Sequence, residues 1–253
     1  MTGSLVVVGT GPGKAELMTP ATSAALARAT DLVGYGLYLD RVPAQPGQCR
    51  HASDNRVEID RARQALSLAA SGKQVAVVSG GDPGVFAMAA AVFEAVEAGR
   101  LDWRRLDIRV EPGVTAMLAA AAEVGAPLGA DFCAISLSDN LKSWSTIERR
   151  LTAAASADFV IALYNPASRA RPHQLGHAFV LLRTIKRPDT VVLMVRAAGS
   201  GASTVTVTTL AHADPSLADM RTLVIIGSDA TRLIERTGST PWVYTSRAER
   251  GFE

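Results

Sequence analysis

Two glycine-rich segments are candidates for ligand binding, because each one directly follows an apolar run. The first reads GTGPG at 9–13, and the second reads GGDPG at 80–84. Glycine lets the backbone approach a ligand closely, and a loop between a strand and a helix is a common place for such an approach. The two segments therefore predict a binding site formed largely by main-chain atoms.

Two further segments occupy similar positions at the end of an apolar run. In EPGVT (111–115) a turn precedes a helix of small residues that Thr115 can cap. In LYNP (163–166) an Asn-Pro pair ends a strand-like run. All of these segments are also typical of ordinary turns, since Asp82 could cap a helix that begins at Pro83.

The first loop matches neither of two common nucleotide-binding fingerprints. A dinucleotide fold needs glycine where Lys14 stands, and an acidic residue where the second strand ends in GYG at 34–36. A P-loop needs glycine in place of Val8 and a hydroxyl in place of Ala15. These departures disfavour a nicotinamide-dependent oxidoreductase, which stays open as an alternative.

The first half of the chain alternates strand-like and helix-like runs. This alternation predicts a mainly parallel sheet with ligands bound at the carboxyl ends of its strands. The predicted strands are 4–9, 31–36, 74–80 and 107–113, and the predicted helices are 19–29, 58–71 and about 84–98.

The second half contains more strands, and the short Gly/Ser turn between two of them favours an antiparallel hairpin. The predicted strands are 132–139, 158–165, 190–199, 203–210 and 222–227. The fold class is therefore α/β, with a mainly parallel sheet in a domain 1–112 and a mixed sheet in a domain 113–253.

Composition limits the classes of function. The 253 residues are 48% hydrophobic and 20% charged, as in a globular protein with a large core, and the net charge of +2 does not favour nucleic acid. Cys49 and Cys133 lie too far apart in sequence for a CxxC site. No run is typical of an export signal or a membrane span, so we expect a cytoplasmic protein.

Several stretches, taken together, resemble a known family. VVVGTGPGKAELMTPAT, VSGGDPGVFAMAAAV, EPGVTAMLAAAAEVGAPLGADFCAISLSD and DFVIALYNPASRAR are similar to the tetrapyrrole methylases of corrin biosynthesis. The resemblance covers nearly the whole chain in the right order. It implies two α/β domains with S-adenosylmethionine held in the cleft between them, S-adenosylhomocysteine as product, a tetrapyrrole substrate and a homodimer.

The resemblance also implies which residues hold the methyl donor. The first glycine loop would lie beside the donor and open the substrate trough, and the second would cradle the methionine part of the donor. The 115–116 linker would contact the donor, and the second domain would close its adenine side. Residue by residue, the implied cofactor contacts are Gly11, Pro12, Gly80, Gly81, Asp82, Thr115, Ala116, Tyr164, Asn165 and Gly227.

Members most like this chain couple methylation to contraction of the macrocycle, a step that needs a base. Asp82 is the candidate base, and Tyr35, Tyr38 and Asp139 are further loop residues that could act on the substrate. Arginine forks match the carboxylate arms of the substrate. The candidate clamps are Arg169, Arg171 and Arg196.

Other functions stay open beside this one. A corrin-pathway methylase with a different site selectivity shares the same motifs, and a non-catalytic tetrapyrrole carrier would share the fold. His173 and His177 have the i, i+4 spacing of a metal-binding pair, but no third ligand stands at a supporting spacing. We therefore predict no metal.

Overall fold

The computed structural model describes residues 3–54 and 57–248. The chain is divided into two compact units, Met1–Ala116 and Met117–Glu253, whereas the sequence placed this division between 112 and 113. No helix in the described ranges is long and apolar enough to cross a membrane.

The first unit alternates strands and helices, as the sequence predicted. In chain order its elements are β1 (Ser4–Gly9), α1 (Pro20–Arg28), β2 (Asp31–Tyr35), α2 (Gly36–Leu39), β3 (Cys49–Ser53), α3 (Glu58–Ala70), β4 (Gln74–Ser79), α4 (Met88–Ala98) and β5 (Asp107–Glu111).

The five strands form one sheet in the order β3-β2-β4-β1-β5, and every neighbouring pair is parallel. The parallel sheet is therefore confirmed. Because all strands run in one direction, the loops that follow β1, β2, β4 and β5 leave the same edge of the sheet. We call this edge the carboxyl edge of the first sheet.

Helices cover both faces of this sheet. The buried face of α3 contains Ala62, Ala65, Leu66 and Ala69, which is the apolar stripe that the sequence predicted. With α4 it packs on one face of the sheet, while Ala25 and Leu26 of α1 pack on the other. The three central strands of the first sheet, β2, β4 and β1, are thus covered on both faces.

Helix boundaries follow local capping. The side chain of Thr19 accepts a hydrogen bond from the Thr22 N–H, and Pro20 occupies the first turn, so the predicted start of α1 is confirmed. The predicted start of α4 at about residue 84 is wrong, because α4 begins at Met88. Asp82 therefore does not cap this helix.

A buried carboxylate lies at the opposite edge of the first sheet. Asp31 is 2% exposed, and its oxygens accept hydrogen bonds from the Thr30 hydroxyl (2.8 Å) and pair with His51 Nε2 (2.8 Å). Burial alone would raise the pKa of Asp31, but these two hydrogen bonds and the charge of Lys73 hold it below its usual value. The ionised form thus contributes to folding.

The second unit combines helices with two sheets. In chain order its elements are α5 (Ala116–Val124), β6 (Gly125–Ala126), β7 (Phe132–Ser136), α6 (Trp144–Ser156), β8 (Val160–Tyr164), α7 (Gln174–Arg183), β9 (Val191–Arg196), β10 (Thr204–Thr209), β11 (Thr222–Ile226), β12 (Thr231–Ile234) and β13 (Trp242–Thr245).

The larger sheet of this unit has the order β10-β9-β11-β8-β7. Only β7 and β8 are parallel to each other, and the remaining neighbours are antiparallel. The predicted mixed sheet and the predicted β9–β10 hairpin are both confirmed. Phe179 and the leucines of α6 and α7 fill the core beneath this sheet.

A small sheet, β12-β13-β6, was not predicted. Its strands have only two to four residues, and β6 contributes just Gly125 and Ala126. Runs this short carry little periodicity, so the sequence did not reveal them.

One buried ion pair anchors the second unit. The Lys186 side chain is 2% exposed, and its ammonium donates to Asp158 Oδ1 at 2.7 Å. The Asp158 carboxylate also accepts the N–H of Asp229. A buried ammonium depends on such a partner, because an unpaired charge in the interior is costly.

Candidate active site

The two glycine loops are joined to each other at the carboxyl edge of the first sheet. Thr10 donates its N–H (2.9 Å) and its hydroxyl (3.0 Å) to the Ser79 carbonyl. One residue further on, Gly11 and Gly81 exchange two backbone hydrogen bonds of 3.2 and 2.9 Å. The structure thus brings the predicted residues of both loops together.

Some glycines in these loops are needed for packing between the loops. A Cβ on Gly9 would lie 2.5 Å from the Gly81 carbonyl oxygen and 2.8 Å from the Gly113 nitrogen. A Cβ on Gly113 would meet the carbonyl oxygens of Gly81 and Gly9. The third loop therefore packs directly on the first two, and no ligand is required to explain these glycines.

Gly80 makes room for an aromatic ring. A Cβ at this position would lie 2.7 Å from Cε1 and Cζ of Tyr38 and 3.1 Å from its hydroxyl oxygen. Tyr35 packs edge-on against the same ring, with centroids 5.6 Å apart. The sequence assigned Gly80 to the cofactor, but the Tyr38 ring already accounts for the missing side chain.

Gly81 differs from Gly9, Gly80 and Gly113, because a side chain there would not clash with a neighbour. Its φ is +64°, and a Cβ there would make ordinary contacts of 3.8 Å with Thr115 Cα, 3.9 Å with the Val114 oxygen and 4.0 Å with the Ala116 nitrogen. Ala116 begins α5, so its N–H has no acceptor within the helix. Gly81 is thus explained by its positive φ and not by packing between the loops.

Asp82 links the second loop to the third. Its Oδ1 accepts the Gly84 N–H at 2.8 Å, and its Oδ2 accepts the Gly113 N–H at 3.1 Å. Since both carboxylate oxygens are engaged, the geometry favours a role in holding the loops. Its action as a base stays a prediction.

In the second unit, Tyr164 and Asn165 lie at the end of β8, where their side chains contact neighbouring elements. The Tyr164 hydroxyl accepts the Met117 N–H at 3.1 Å, and Asn165 Nδ2 donates to the Ser136 hydroxyl at 2.9 Å. Asn165 has φ +53°, a conformation that asparagine tolerates better than most residues. The sequence missed Ser136, which ends the parallel neighbour β7.

Gly227 lies at the other edge of that sheet. Because β11 is antiparallel to β8, Ile226 pairs with Ile161 near the start of β8, whereas Leu163 pairs with Val224. The end of β11 is therefore remote from Tyr164. The role of Gly227 as a cofactor contact stays a prediction.

The predicted arginine clamps have different environments. Arg196, at the end of β9, donates from Nε to Asp219 Oδ2 at 2.8 Å, so part of its guanidinium is already paired. Arg169 is exposed, whereas Arg171 is half-buried with its Nε 4.0 Å from Asp139 Oδ1. Arg171 is thus the half-buried candidate clamp, and this distance to Asp139 is too long for a hydrogen bond.

Within the described ranges, no group of three His, Cys, Asp or Glu side chains is placed to hold a metal ion. The rings of His173 and His177 are 6.3 Å apart, and His177 packs edge-on against Trp144. This cluster is accounted for by packing of aromatic rings.

Known proteins with similar sequences and structures point to one family. The model of the tetrapyrrole (corrin/porphyrin) methylases matches residues 4–214. A precorrin-3B C(17)-methyltransferase of Sinorhizobium sp is 58% identical over 251 residues, which cover 99% of each chain.

Solved structures agree with this finding. The crystal structure of the methyltransferase CobJ superposes with a TM-score of 0.92 at 51% identity, covering 96% of this chain and 100% of that one. A uroporphyrin-III C-methyl transferase from Thermus thermophilus, complexed with S-adenyl homocysteine, superposes with a TM-score of 0.66 over 89% of this chain and 92% of its own. At 20% identity the latter supports the fold alone.

Proposed function

Because the chain belongs to the tetrapyrrole (corrin/porphyrin) methylases, we propose that it transfers a methyl group from S-adenosylmethionine to C17 of precorrin-3B. The observation that carries this proposal is the 58% identity with the Sinorhizobium sp enzyme across 99% of both chains. The proposed reaction includes contraction of the macrocycle to precorrin-4, as a step of cobalamin biosynthesis.

We assign the methyl donor to Gly81 and to 114–116, and the family resemblance implies Tyr164 and Asn165 as contacts of its adenine. The assignment is supported by Ala116, whose N–H has no acceptor within α5, and by Gly81, where an added Cβ would not clash. Bound there, S-adenosylmethionine would supply an electrophilic methyl group on a positively charged sulfur. Pro12, Thr115 and Ala116 complete the proposed contacts.

The contribution of the protein is chiefly positioning. The hydrogen bonds between Gly11 and Gly81, and those accepted by Asp82, fix the three loops before any ligand arrives. Orienting two reactants in advance can contribute roughly 7–11 kcal/mol to a reaction between them.

Two measurements test the proposal. Calorimetry with S-adenosylhomocysteine and with NADH distinguishes a methylase from an oxidoreductase, and we expect binding of the first ligand only. Incubation with precorrin-3B and ¹³C-methyl-labelled S-adenosylmethionine, followed by mass spectrometry and NMR, then shows whether one methyl group is gained and at which carbon. A gain at another carbon would support a different site selectivity, and no gain would support a carrier.

The proposal extends to a cytoplasmic homodimer that binds neither nucleic acid nor a membrane. The small net charge of +2 and the free thiols of Cys49 and Cys133 support a protein of a reducing compartment. Size-exclusion chromatography with light scattering is expected to give twice the chain mass of 26.5 kDa. A mass of one chain at micromolar concentration would contradict the dimer.

A further inference from the structure

The segment 168–174 concentrates polar atoms that are buried without a partner. In the part of the chain that the structure describes, the buried side-chain atoms of this segment that have no hydrogen-bond partner are Ser168 Oγ, Arg171 Nε, Arg171 Nη1 and Gln174 Oε1. Elsewhere in that part of the chain, the only such atoms are Gln48 Oε1 and Trp103 Nε1. Burying a polar group without a hydrogen bond costs free energy. A cluster of such groups in one segment therefore indicates a ligand or solvent that completes it.

This segment directly follows the end of β8 and has a defined shape. Ser168 and Arg171 exchange two backbone hydrogen bonds of 3.0 Å each, which close a turn whose tip, residues 169 and 170, is exposed. Gln174 then begins α7 and donates from Nε2 to Asp139 Oδ2 at 3.1 Å. The three residues with unpartnered atoms are thus held on one short, ordered stretch.

The guanidinium of Arg171 is the main feature of this stretch. Its side chain is 13% exposed, and its nearest carboxylate oxygen, Asp139 Oδ1, lies 4.0 Å from Nε, which is too far for a hydrogen bond. Since Nη2 is neither enclosed nor hydrogen-bonded to a described residue, the Nη1–Nη2 side of the fork has no acceptor. Nη2 is thus a charged donor available to a carboxylate oxygen, while Nη1 beside it is enclosed.

We propose that Arg171, with the Ser168 hydroxyl beside it, forms a subsite for one carboxylate arm of the tetrapyrrole. Nη2 is the nitrogen of Arg171 that a ligand can reach. Asp139 approaches the Nε side and leaves the Nη1–Nη2 side for the ligand. This inference rests on the proposed function, because that function supplies a substrate with carboxylate arms.

The test compares Arg171→Gln and Arg171→Lys with the control Arg149→Gln, which removes the same charge from an exposed position on α6. We expect Arg171→Gln to raise the KM for precorrin-3B by about 10-fold to 100-fold, the range for losing a hydrogen bond to a charged group. The kcat and the affinity for S-adenosylhomocysteine should change less than about twofold. Arg171→Lys, which keeps the charge but not the fork, should recover part of the loss.

A structural role makes a different prediction for the free protein. If Arg171 only supports the fold, Arg171→Met lowers the midpoint of thermal unfolding. If Arg171 instead serves to bind a ligand and lacks a hydrogen bond in the free protein, Arg171→Met should leave the stability unchanged or raise it. An Arg171→Met variant that unfolds at a clearly lower temperature would overturn the subsite.

Direct binding separates this inference from the proposed function. Uroporphyrin III, a tetrapyrrole with carboxylate arms, and its methyl ester are titrated into the wild-type protein and the variants. We expect Arg171→Gln to weaken binding of the acid about 10-fold and binding of the ester hardly at all. If wild type methylates precorrin-3B but Arg171→Gln behaves as Arg149→Gln in both assays, the subsite is refuted and the function stands. If wild type transfers no methyl group but the variant loses acid binding, the function is refuted and the subsite stands.

Discussion

Replacement of Asp82 distinguishes a residue that holds the loops from a catalytic base. Asp82→Ala removes the acceptors for the N–H groups of Gly84 (2.8 Å) and Gly113 (3.1 Å). A hydrogen bond to an ionised group contributes roughly 1.5–3 kcal/mol. Water can replace the acceptor at Gly84, which is exposed, but less well at Gly113, which is half-buried. We therefore expect the free energy of unfolding to fall by about 2 kcal/mol, which is close to one such bond.

The same substitution should also weaken ligand binding, since the Gly113 bond sets the position of 114–116 beside Gly81. We expect the Kd for S-adenosylhomocysteine to rise about 10-fold, and Asp82→Asn, which keeps one acceptor oxygen, to fall between wild type and Asp82→Ala. Urea unfolding and calorimetry give the two quantities.

The matched control is Asp102→Ala, which removes an exposed carboxylate paired with Arg100 and should leave both measurements unchanged. The opposite pattern would refute this reasoning. If Asp82→Asn kept the wild-type stability and Kd but lost turnover, Asp82 would be the base.

Three further substitutions test other contacts. Gly80→Ala should lower the free energy of unfolding, measured in urea, by about 1–3 kcal/mol, because its Cβ would lie 2.7 Å from the Tyr38 ring. Most of this loss should disappear when Tyr38→Ala is also present. Asp158→Ala should cost about 3 kcal/mol in the same measurement, because it leaves the buried ammonium of Lys186 unpaired, and adding Lys186→Met should restore part of the loss. The pKa of Asp31 is lower in the folded protein than its usual value of 3.8, so its contribution to stability is complete above pH 3.8 and is lost as the pH falls through the folded pKa. Urea unfolding from about pH 5 to about pH 3 should therefore show a smaller loss of stability in Asp31→Asn than in wild type.

Controls for these substitutions come from exposed positions. Gly36→Ala adds a Cβ with no atom within 4 Å, so it should not reproduce the loss seen at Gly80. Asp189→Ala breaks an exposed ion pair with Arg187 and should leave stability unchanged. A decline with pH as steep in Asp31→Asn as in wild type would contradict the assignment of acid sensitivity to Asp31.

The layered architecture could be predicted because its signals are strong. Apolar runs alternating with helical patterns indicated the parallel sheet, and the short turn before Thr204 indicated the β9–β10 hairpin. Strand β3 was missed because its residues, CRHAS, are mostly polar and it lies at a sheet edge with its side chains largely exposed. Edge strands carry a weak apolar signal, so their detection depends on partners that the sequence does not reveal.

The composition of the site was easier to predict than the role of each residue. The two glycine loops lie together as expected, but sequence alone could not separate Gly81, where a Cβ would not clash, from Gly80, which accommodates Tyr38. That distinction depends on α2, a distant element. The direction of β11 is likewise not encoded in a short apolar run. The unpartnered atoms of Arg171 likewise depend on packing around the turn.

The paired backbone hydrogen bonds between Gly11 and Gly81 have a consequence for selectivity. Each of these residues donates its N–H to the carbonyl of the other, so neither amide can donate a hydrogen bond to a ligand. We therefore expect a ligand at Gly81 to be selected by its size and shape. Bulkier sulfonium analogues should bind more weakly there, even when their polar groups are the same.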